Sequence, residues 1–380
     1  SFAIGYIAGP FGAIFFGHIG DRKGRKVTMY ASLLMMGIST SIIGILPPAA
    51  SAGVGVVIVL QLMRLAQCFG RGGTWGGGIL MAYENVPENK RSFYAAIPQI
   101  GLPIGFGLSS ILIAVPTLLL PEDIFFTWGW RIPFLAAIIL TVIVIRQKGE
   151  MMETEDYKKA QAKLEAEEAE GKKHKVGFIP MVKGYWKTLL LGCGTRWVDG
   201  TFYNIFIVWI LSYCINWLGM PLIQTYIITI IACIFKIPFT LFGGWCAQKL
   251  GNTRTFVIGA LASAVLSIPT LKVIELSKGN LAITIIGIVL GWSIAYNLIW
   301  AVISSLWSSY FETEVRYSGI SFVYHVPSFL VAGMVPTICT LLINYGKGDT
   351  IYVGIYSTVV ALISAACALA LKARHDRGEK

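Results

Sequence analysis

Charged residues are scarce in this sequence. Asp, Glu, Lys and Arg make up 13% of the 380 residues, whereas an average globular domain carries about 25%. Hydrophobic residues make up 55%, and the mean hydropathy is +0.68. This composition excludes a soluble enzyme and an intrinsically disordered chain.

Several chemical signatures are also missing. The seven cysteines lie inside apolar segments without metal-ligand spacing, so we interpret them as small core residues and exclude a disulfide scaffold. The sequence has no G-x-x-x-x-G-K-[ST] loop and no H-E-x-x-H motif. It also lacks paired acids within its apolar segments. We therefore predict no enzymatic activity, no metal and no cofactor.

Long apolar segments dominate the chain instead. A bilayer core needs about 20 apolar residues per spanning helix. Eleven segments meet this need, so we predict an all-α polytopic membrane protein. They lie at about 1–20, 27–47, 54–84, 92–119, 127–146, 184–217, 221–247, 253–275, 281–310, 317–345 and 350–372.

The basic residues orient these segments. The net charge is +11, and 23 of the 31 Lys and Arg residues lie in one alternating set of connections, against two in the other set. Such a bias marks the cytoplasmic side of a membrane protein. We therefore predict a multi-pass protein of the plasma (inner) membrane with a cytoplasmic C-terminus, the lipid bilayer as its surroundings and no nucleic-acid partner.

The connection at residues 147–183 divides the chain. Five segments precede it in 1–146 and six follow it in 184–380. Because the chain starts inside an apolar segment, we expect a first helix to be missing before Ser1, which would complete two six-helix bundles. A polar helix over 153–175 is predicted in the connection, either as a regulatory segment or as a solvated linker.

The loop between the first two spans carries the strongest local motif, G-x-x-x-D-R-x-G-R-K at residues 17–26. Gly24 tolerates a positive φ in such a tight loop. Asp21 can face a helix N-terminus or pair with an arginine across the bundle. A purely topogenic loop needs Arg and Lys but no acid or fixed glycines. We predict a cytoplasmic gating motif formed by Gly17, Asp21, Arg22, Gly24 and Arg25.

The third span carries two arginines. Arg64 lies near mid-membrane, where a charge is costly and by default marks a functional site. Arg71 lies about 10 Å further along nearly the same face, and Gln67 shares that face. Alternatively, backbone carbonyls hold Arg64, and Arg71 extends to the interface. The glycines of residues 70–78 favour close packing with a neighbouring helix.

One acid lies well inside a span. Asp199 and Arg196 are three residues apart and can pair on one helix face. Asp199 is either a protonatable carboxylate or half of a self-neutralised structural pair. Lys236, mid-span in the next helix, is either a ligand for a substrate anion or a partner of Asp199.

Other polar groups mid-span serve more often in helix–helix hydrogen bonds than in ligand contacts. We retain Gln99 and Tyr324 as candidate substrate contacts. Histidine is the side chain whose ordinary pKa lies near neutral pH, so His325 is a second candidate for proton coupling beside Asp199.

The motif at 17–26 resembles the signature loop of the major facilitator superfamily, and residues 244–254 resemble a second copy in which Gln248 replaces the acid. Further stretches resemble the metabolite:proton symporter family within it. They lie at 64–78, 84–94, 98–105, 128–134 and 316–319, covering nearly the whole chain. The family usually has Glu where this chain has Thr74, and a small or apolar residue at the position of Arg71.

The resemblance implies the major facilitator fold and carriage of small molecules by alternating access. The family includes carriers for shikimate, α-ketoglutarate, citrate, and proline or betaine. Away from the span ends, the spans contain four cations, Arg64, Arg71, Arg196 and Lys236, and one acid, Asp199, which favours an anionic substrate. We therefore predict a monomeric proton symporter of a small organic acid. Candidate substrate contacts are Arg64, Gln67, Arg71, Gln99, Arg196, Lys236 and Tyr324. The alternatives are a carrier of a zwitterionic osmolyte and a transport-inactive membrane sensor.

Overall fold

The computed structural model describes residues 2–48, 53–147, 153–169 and 178–379. Within these ranges every regular element is a helix, which confirms the predicted all-α class. The α-helices are α1 Phe2–Lys23, α2 Arg25–Ile45, α3 Val54–Glu84, α4 Arg91–Ala96, α5 Gly101–Leu119, α6 Glu122–Thr127, α7 Ile132–Arg146, α8 Glu155–Ala169, α9 Phe178–Tyr203, α10 Ile210–Asn216, α11 Leu222–Leu250, α12 Asn252–Leu276, α13 Leu281–Ile288, α14 Asn297–Ser308, α15 Arg316–His325, α16 Val335–Tyr345 and α17 Ile351–Asp376.

Ten helical stretches of the described chain are long and apolar enough to cross a membrane. They match the second to eleventh predicted segments, with ends shifted by at most four residues. The first predicted segment falls on α1. The stretches are Arg25–Ile45, Val54–Glu84, Glu88–Leu119, Gly129–Arg146, Met181–Asn216, Leu222–Leu250, Asn252–Leu276, Leu281–Ser308, Arg316–Tyr345 and Ile351–Asp376.

The outer faces of these helices expose large apolar side chains. Ile139 and Leu140 on α7 are 65% and 66% exposed, and Val265 on α12 is 73% exposed. A soluble protein rarely exposes such side chains in continuous patches. They suit contact with lipid acyl chains, where the helix satisfies its own backbone.

The structure confirms part of the helix predicted in the connection at residues 147–183. The predicted helix over 153–175 is seen as α8, Glu155–Ala169. Residues 170–175 of the prediction lie outside the described residues.

Three of the spans contain a stretch of π-helix, at Asn204–Trp209, Val289–Ala295 and Phe329–Gly333. Hydropathy predicted uninterrupted helices here, because an extra residue in one turn leaves an apolar run apolar. A π-turn rotates the side chains after it relative to those before it, and such turns are frequent at functional sites.

The chain forms two compact units. One comprises 1–85, 111–184 and 311–326; the other comprises 86–110, 185–310 and 327–380. Packing therefore groups segments differently from chain order. The predicted domains 1–146, 147–183 and 184–380 follow chain order and stay a prediction.

Glycines let α1 and α3 approach closely within the first unit. A Cβ on Gly12 would overlap the Phe69 carbonyl, and one on Gly72 would overlap the backbone of Gly12 and Ala13. The two backbones are therefore in direct contact. This confirms the close packing predicted for the glycine run of α3.

We expect Gly12→Ala to lower the free energy of unfolding by about 1–3 kcal/mol, because the added methyl group meets rigid backbone. Gly78→Ala, on the partner helix α3, is the control, since no atom lies within 4 Å of its Cβ position. Thermal unfolding of the purified protein in detergent measures both. Equal unfolding temperatures for the two variants would contradict the close approach.

Candidate functional site

The motif at residues 17–26 places a carboxylate against a helix N-terminus. Asp21 is buried and accepts hydrogen bonds from the backbone N–H groups of Tyr317 (3.2 Å) and Ser318 (3.0 Å). These N–H groups lie in the first turn of α15, where they have no partner within the helix. The dipole of α15 also favours a carboxylate at this end. Facing a helix N-terminus is thus one of the two arrangements predicted for Asp21.

Arg25 is fully buried and joins several acceptors. Its Nη1 donates to the Gly20 carbonyl (2.9 Å) and lies 3.6 Å from Asp21 Oδ1. Its Nε donates to Glu84 Oε2 (3.3 Å), and its Nη2 donates to the Thr313 carbonyl (2.8 Å). A buried guanidinium needs such partners because an unpaired buried charge is very costly.

Glu84 accepts from two arginines at once. Its Oε2 binds Arg25, and its Oε1 lies 3.0 Å from Arg316 Nη1. Its Oε2 also accepts a hydrogen bond from the buried Thr154 hydroxyl (2.7 Å). These contacts belong to one group of buried polar residues, the loop cluster, which comprises Asp21, Arg25, Glu84, Glu153, Thr154 and Arg316.

Two residues of the loop cluster belong to the polar connection. The Glu153 carboxylate accepts from the backbone N–H groups of Arg25 (2.9 Å) and Lys26 (3.2 Å), so it caps the N-terminus of α2. Thr154 binds Glu84. Sequence reasoning missed both residues, because a Glu-Thr pair in an acidic run has no signature of its own.

The first turn of α8 packs on the loop cluster. The Tyr157 hydroxyl donates to the Arg22 carbonyl (2.9 Å), and the Arg25 guanidinium lies 4.8 Å from the Tyr157 ring centroid. Burial raises the pKa of the Tyr157 phenol, so the hydroxyl remains a donor at neutral pH. Asp156 lies 3.5 Å from Arg316 Nη1. Residues 153–157 are therefore packed against the protein and not a fully solvated linker.

The glycines of the motif have distinct roles. A Cβ on Gly17 would lie 3.0 Å from Ser318 Cα, and one on Gly20 would overlap the Tyr317 ring, so both allow α15 to approach α1. Gly24 has φ +102°, as the tight loop predicted. The Arg22 side chain is exposed.

The candidates on α3 separate in the structure. The Arg64 side chain is exposed, with its guanidinium 5.9 Å from the Phe134 ring centroid. Arg71 is also exposed. The Gln67 amide instead donates to the Thr40 hydroxyl on α2 (2.6 Å), so this amide nitrogen is engaged in a helix–helix contact.

Two candidates on α15 lie in the same unit as α3. Tyr324 stacks on Trp75 with ring centroids 4.0 Å apart and planes 16° apart. His325 is buried and packs edge-on against Tyr324 at 4.8 Å. Both belong to the first unit with Arg64, Gln67 and Arg71.

The second unit brings together Arg196, Asp199, Tyr296 and Lys236, called the span cluster below. Arg196 Nη1 pairs with Asp199 Oδ2, and the Tyr296 hydroxyl donates to Asp199 Oδ1. All three side chains are buried. The pairing expected from the spacing of Arg196 and Asp199 is therefore present, and Tyr296 adds a second partner from another helix.

Lys236 is 0% exposed and is held by aromatic faces. Its Nζ lies 4.4 Å from the Trp292 ring centroid and 4.3 Å from the Tyr296 ring centroid. Its hydrogen-bond acceptor is the Trp292 carbonyl at 3.5 Å. Among the described residues no carboxylate oxygen lies within 4.0 Å of this ammonium group. Lys236 thus approaches Asp199 only through Tyr296, not as a direct ion pair.

Gln99 is buried and tied to another helix. Its Nε2 donates to the Trp300 carbonyl (3.1 Å), and the Trp300 indole N–H donates to the Gln99 carbonyl (3.1 Å). This is the helix–helix bonding that competes with a substrate role.

The second copy of the loop motif, at residues 244–254, makes its helix contact with the uncharged side chain of Gln248. The Gln248 side-chain oxygen accepts from the Phe93 backbone N–H (3.4 Å), and its amide donates to the Asn89 carbonyl. Phe93 lies in the first turn of α4. The copy therefore keeps contact with a helix N-terminus but uses an amide where Asp21 uses a carboxylate.

The predicted site residues thus fall into separate groups. The first unit holds the loop cluster together with Arg64, Gln67, Arg71, Tyr324 and His325, and the second holds Gln99 and the span cluster. The sequence does not single out Tyr296, because a mid-span tyrosine more often serves helix–helix contacts than ligand binding. In the part of the chain that the structure describes, no group of three or more His, Cys, Asp or Glu could hold a metal ion.

Comparison with known proteins gives one family match. The model of the Major Facilitator Superfamily matches residues 1–336. The chain is 33% identical to the inner membrane metabolite transport protein YhjE of Escherichia coli K12, over 99% of this chain and 84% of that protein. It is 30% identical to the shikimate transporter of the same organism, over 98% and 83%. It is 27% identical to the proline/betaine transporter of Salmonella typhimurium, over 99% and 75%.

Among solved structures, the proton:xylose symporter XylE bound to 6-bromo-6-deoxy-D-glucose has a TM-score of 0.75 at 16% sequence identity. The alignment covers 97% of this chain and 83% of that one. At this identity the likeness shows the fold.

Proposed function

The chain belongs to the major facilitator superfamily, and from this premise we propose that it is a symporter that carries a small organic acid together with protons by alternating access. The family match and the relatives show that the protein is a multi-pass membrane transporter. The predicted fold class is confirmed, and so is the prediction that the chain is not an enzyme, since its relatives are transporters.

The buried Lys236 ammonium is the observation that supports an anionic substrate. It is fully buried, and its contacts are two aromatic faces and one carbonyl. An ammonium in low dielectric without a paired anion is expensive, and such intramembrane charges mark substrate pathways. The span cluster has two cations and one acid, so a carboxylate would balance its charge.

A second donor lies beside Lys236. The Trp292 indole nitrogen is buried and has no hydrogen-bond partner among the described residues. Buried donors are nearly always satisfied. A carboxylate accepts from several donors at once, so it would satisfy both groups and also balance the ammonium charge, which a neutral solute would leave unbalanced.

Arg64 offers a second cation. Its guanidinium is exposed, and no carboxylate of the described chain lies within 4.0 Å of it. A guanidinium binds a carboxylate through two parallel hydrogen bonds. We propose Arg64, Arg71, Arg196 and Lys236 as the cations that attract the substrate, with Gln67, Gln99 and Tyr324 as further contacts.

Asp199 is the proposed proton carrier. When Asp199 takes up a proton, the net charge of the span cluster rises by one, which increases its attraction for an anion. Binding of the proton and binding of the anion therefore support each other, as symport requires. His325, buried beside Tyr324, is the second candidate.

The loop cluster is the proposed gate. The asymmetry of basic loops supports a cytoplasmic location for it and for the C-terminus. The Asp21 contacts to the N-terminus of α15 support this role, since breaking them would release α15 from α1. We place the transporter in the plasma (inner) membrane as a monomer.

Uptake assays test the proposal. Cells expressing the protein are given labelled shikimate, citrate, α-ketoglutarate, proline or glycine betaine, with and without an uncoupler. A pH gradient of about one unit supports about tenfold accumulation per symported proton. We expect at least one acid to accumulate, and the uncoupler to abolish this accumulation.

Other results of the same assay would reject the proposal. Accumulation of proline or betaine alone would indicate the zwitterion carrier, for which aromatic faces such as the Trp75–Tyr324 pair are suited. Absence of accumulation for every compound would favour the transport-inactive sensor. Accumulation that the uncoupler leaves unchanged would exclude proton coupling.

A further inference from the structure

Tyr296 lies between the proposed proton carrier and the proposed anion-binding cation. Its side chain is 1% exposed. Its hydroxyl donates to Asp199 Oδ1, while its ring centroid is 4.3 Å from Lys236 Nζ. One side chain thus contacts the acid with its polar end and the cation with its aromatic face.

The backbone fixes Tyr296 in this place. Tyr296 follows the π-helix Val289–Ala295 directly and precedes α14, and its N–H donates to the Gly291 carbonyl (3.3 Å). Its ring lies parallel to Phe202, with centroids 6.2 Å apart. The extra residue of the π-turn sets the direction of the side chain, and the stacked ring limits its rotation.

Given the proposed function, we propose that Tyr296 is a positioning residue that couples the proton to the substrate. Its hydroxyl stabilises the ionised form of Asp199, because a hydrogen bond to a charged acceptor is stronger than one to a neutral acceptor. Its ring stabilises the ammonium of Lys236. Protonation of Asp199 weakens the hydrogen bond from the Tyr296 hydroxyl, so the ring is held over Lys236 less tightly and the ammonium becomes available to the substrate.

The other groups around Asp199 do not duplicate the hydrogen bond that the Tyr296 hydroxyl donates to it. The direct partners of the carboxylate are Arg196 on its own helix and Tyr296, and Lys236 acts on it through space. Arg196 retains its charge at any physiological pH. The titratable groups on the elements around Asp199 include Cys193, Arg196 and Tyr203 on α9, Cys233 and Lys236 on α11, Tyr296, and Tyr356 and Cys367 on α17.

The pH profile of uptake tests the coupling role. The probe is the acid among shikimate, citrate and α-ketoglutarate that the wild-type protein accumulates, measured from pH 5 to 8. Tyr296→Phe keeps the ring and removes the hydroxyl. We expect the pH at which uptake is half-maximal to rise by about one to two units, because the ionised carboxylate loses a hydrogen bond.

Two further variants separate coupling from structure. Tyr213→Phe removes a buried hydroxyl that donates to the Gly348 carbonyl (3.3 Å), and its pH profile should match that of the wild type. In an Asp199→Asn background, Tyr296→Phe should cause no further shift, because the residue acts through Asp199.

The outcomes are distinguishable. If wild-type uptake does not depend on pH, or none of the acids accumulates, the proposed function fails. If wild-type uptake depends on pH and Tyr296→Phe leaves the profile unchanged, the coupling role of Tyr296 is wrong. Equal shifts for Tyr296→Phe and Tyr213→Phe, or a persistent shift in the Asp199→Asn background, would also overturn it.

Discussion

Lys236→Met is expected to lower kcat/KM for organic-acid uptake by about thirtyfold or more while leaving the protein at least as stable as the wild type. The loss of uptake follows because removing one charge of a buried charge pair costs about 2–5 kcal/mol of binding. The gain in stability follows because methionine keeps the length of the side chain and packs well against the Trp292 and Tyr296 rings. It also removes a buried charge without a paired carboxylate.

Lys272→Met is the matched control and should behave in the opposite way. Lys272 also lies in a span, but its Nζ binds Glu275 Oε1 (2.9 Å) and Asp349 Oδ1 (2.6 Å) and is partly exposed. This pair also positions Thr350, whose N–H donates to Glu275 (2.8 Å). We expect normal uptake and a lower unfolding temperature. If Lys236→Met transports normally, or only unfolds more readily, Lys236 is structural and not a substrate contact.

Arg25→Met is expected to open the gate at the loop cluster. Methionine removes the cation that lies against both Asp21 and Glu84, and breaking a buried pair costs about 3–5 kcal/mol. This shifts the equilibrium between closed and open forms by about a hundredfold or more. A cysteine at position 318, in a background without the native cysteines, reports the opening, since Ser318 is 2% exposed beneath Asp21.

Alkylation by a membrane-impermeant maleimide in inside-out vesicles measures this exposure. We expect Arg25→Met to accelerate labelling strongly and to reduce uptake. Lys23→Met is the control, because Lys23 is an exposed neighbour at the end of α1, and its labelling should remain slow. Slow labelling of both variants would contradict the gate, and fast labelling only in right-side-out vesicles would place the loop cluster on the other side of the membrane.

Much of the loop cluster is visible in the sequence. Asp21, Gly24 and Arg25 can be identified from the motif. A loop that only sets the membrane topology needs Arg and Lys, but it does not need an acid or glycines at fixed positions. The partners of these three residues do not stand out. Glu84 is 59 residues from Arg25 and Glu153 is 128 residues away, and no periodicity relates positions that far apart. Only folding brings the polar connection onto the loop.

For the span cluster, the sequence predicts one contact but not the others. The three-residue spacing of Arg196 and Asp199 predicts their pairing from helix geometry alone. The placement of Lys236 between Trp292 and Tyr296 could not be predicted, because it depends on the π-turn at Val289–Ala295. Side chains after such a turn leave the face that an α-helical repeat assigns to them.

The sequence alone determined the class of protein and the order of its helices along the chain, because a spanning helix in lipid must be long and apolar and must satisfy its own backbone. These are local properties of a segment. The tertiary structure decided which polar groups meet: Asp21 with α15, Glu153 with α2, and Tyr296 with both Asp199 and Lys236. Only the tertiary structure could decide these contacts, because buried charges pair with groups that are close in space. The order of residues along the chain does not specify which groups are close.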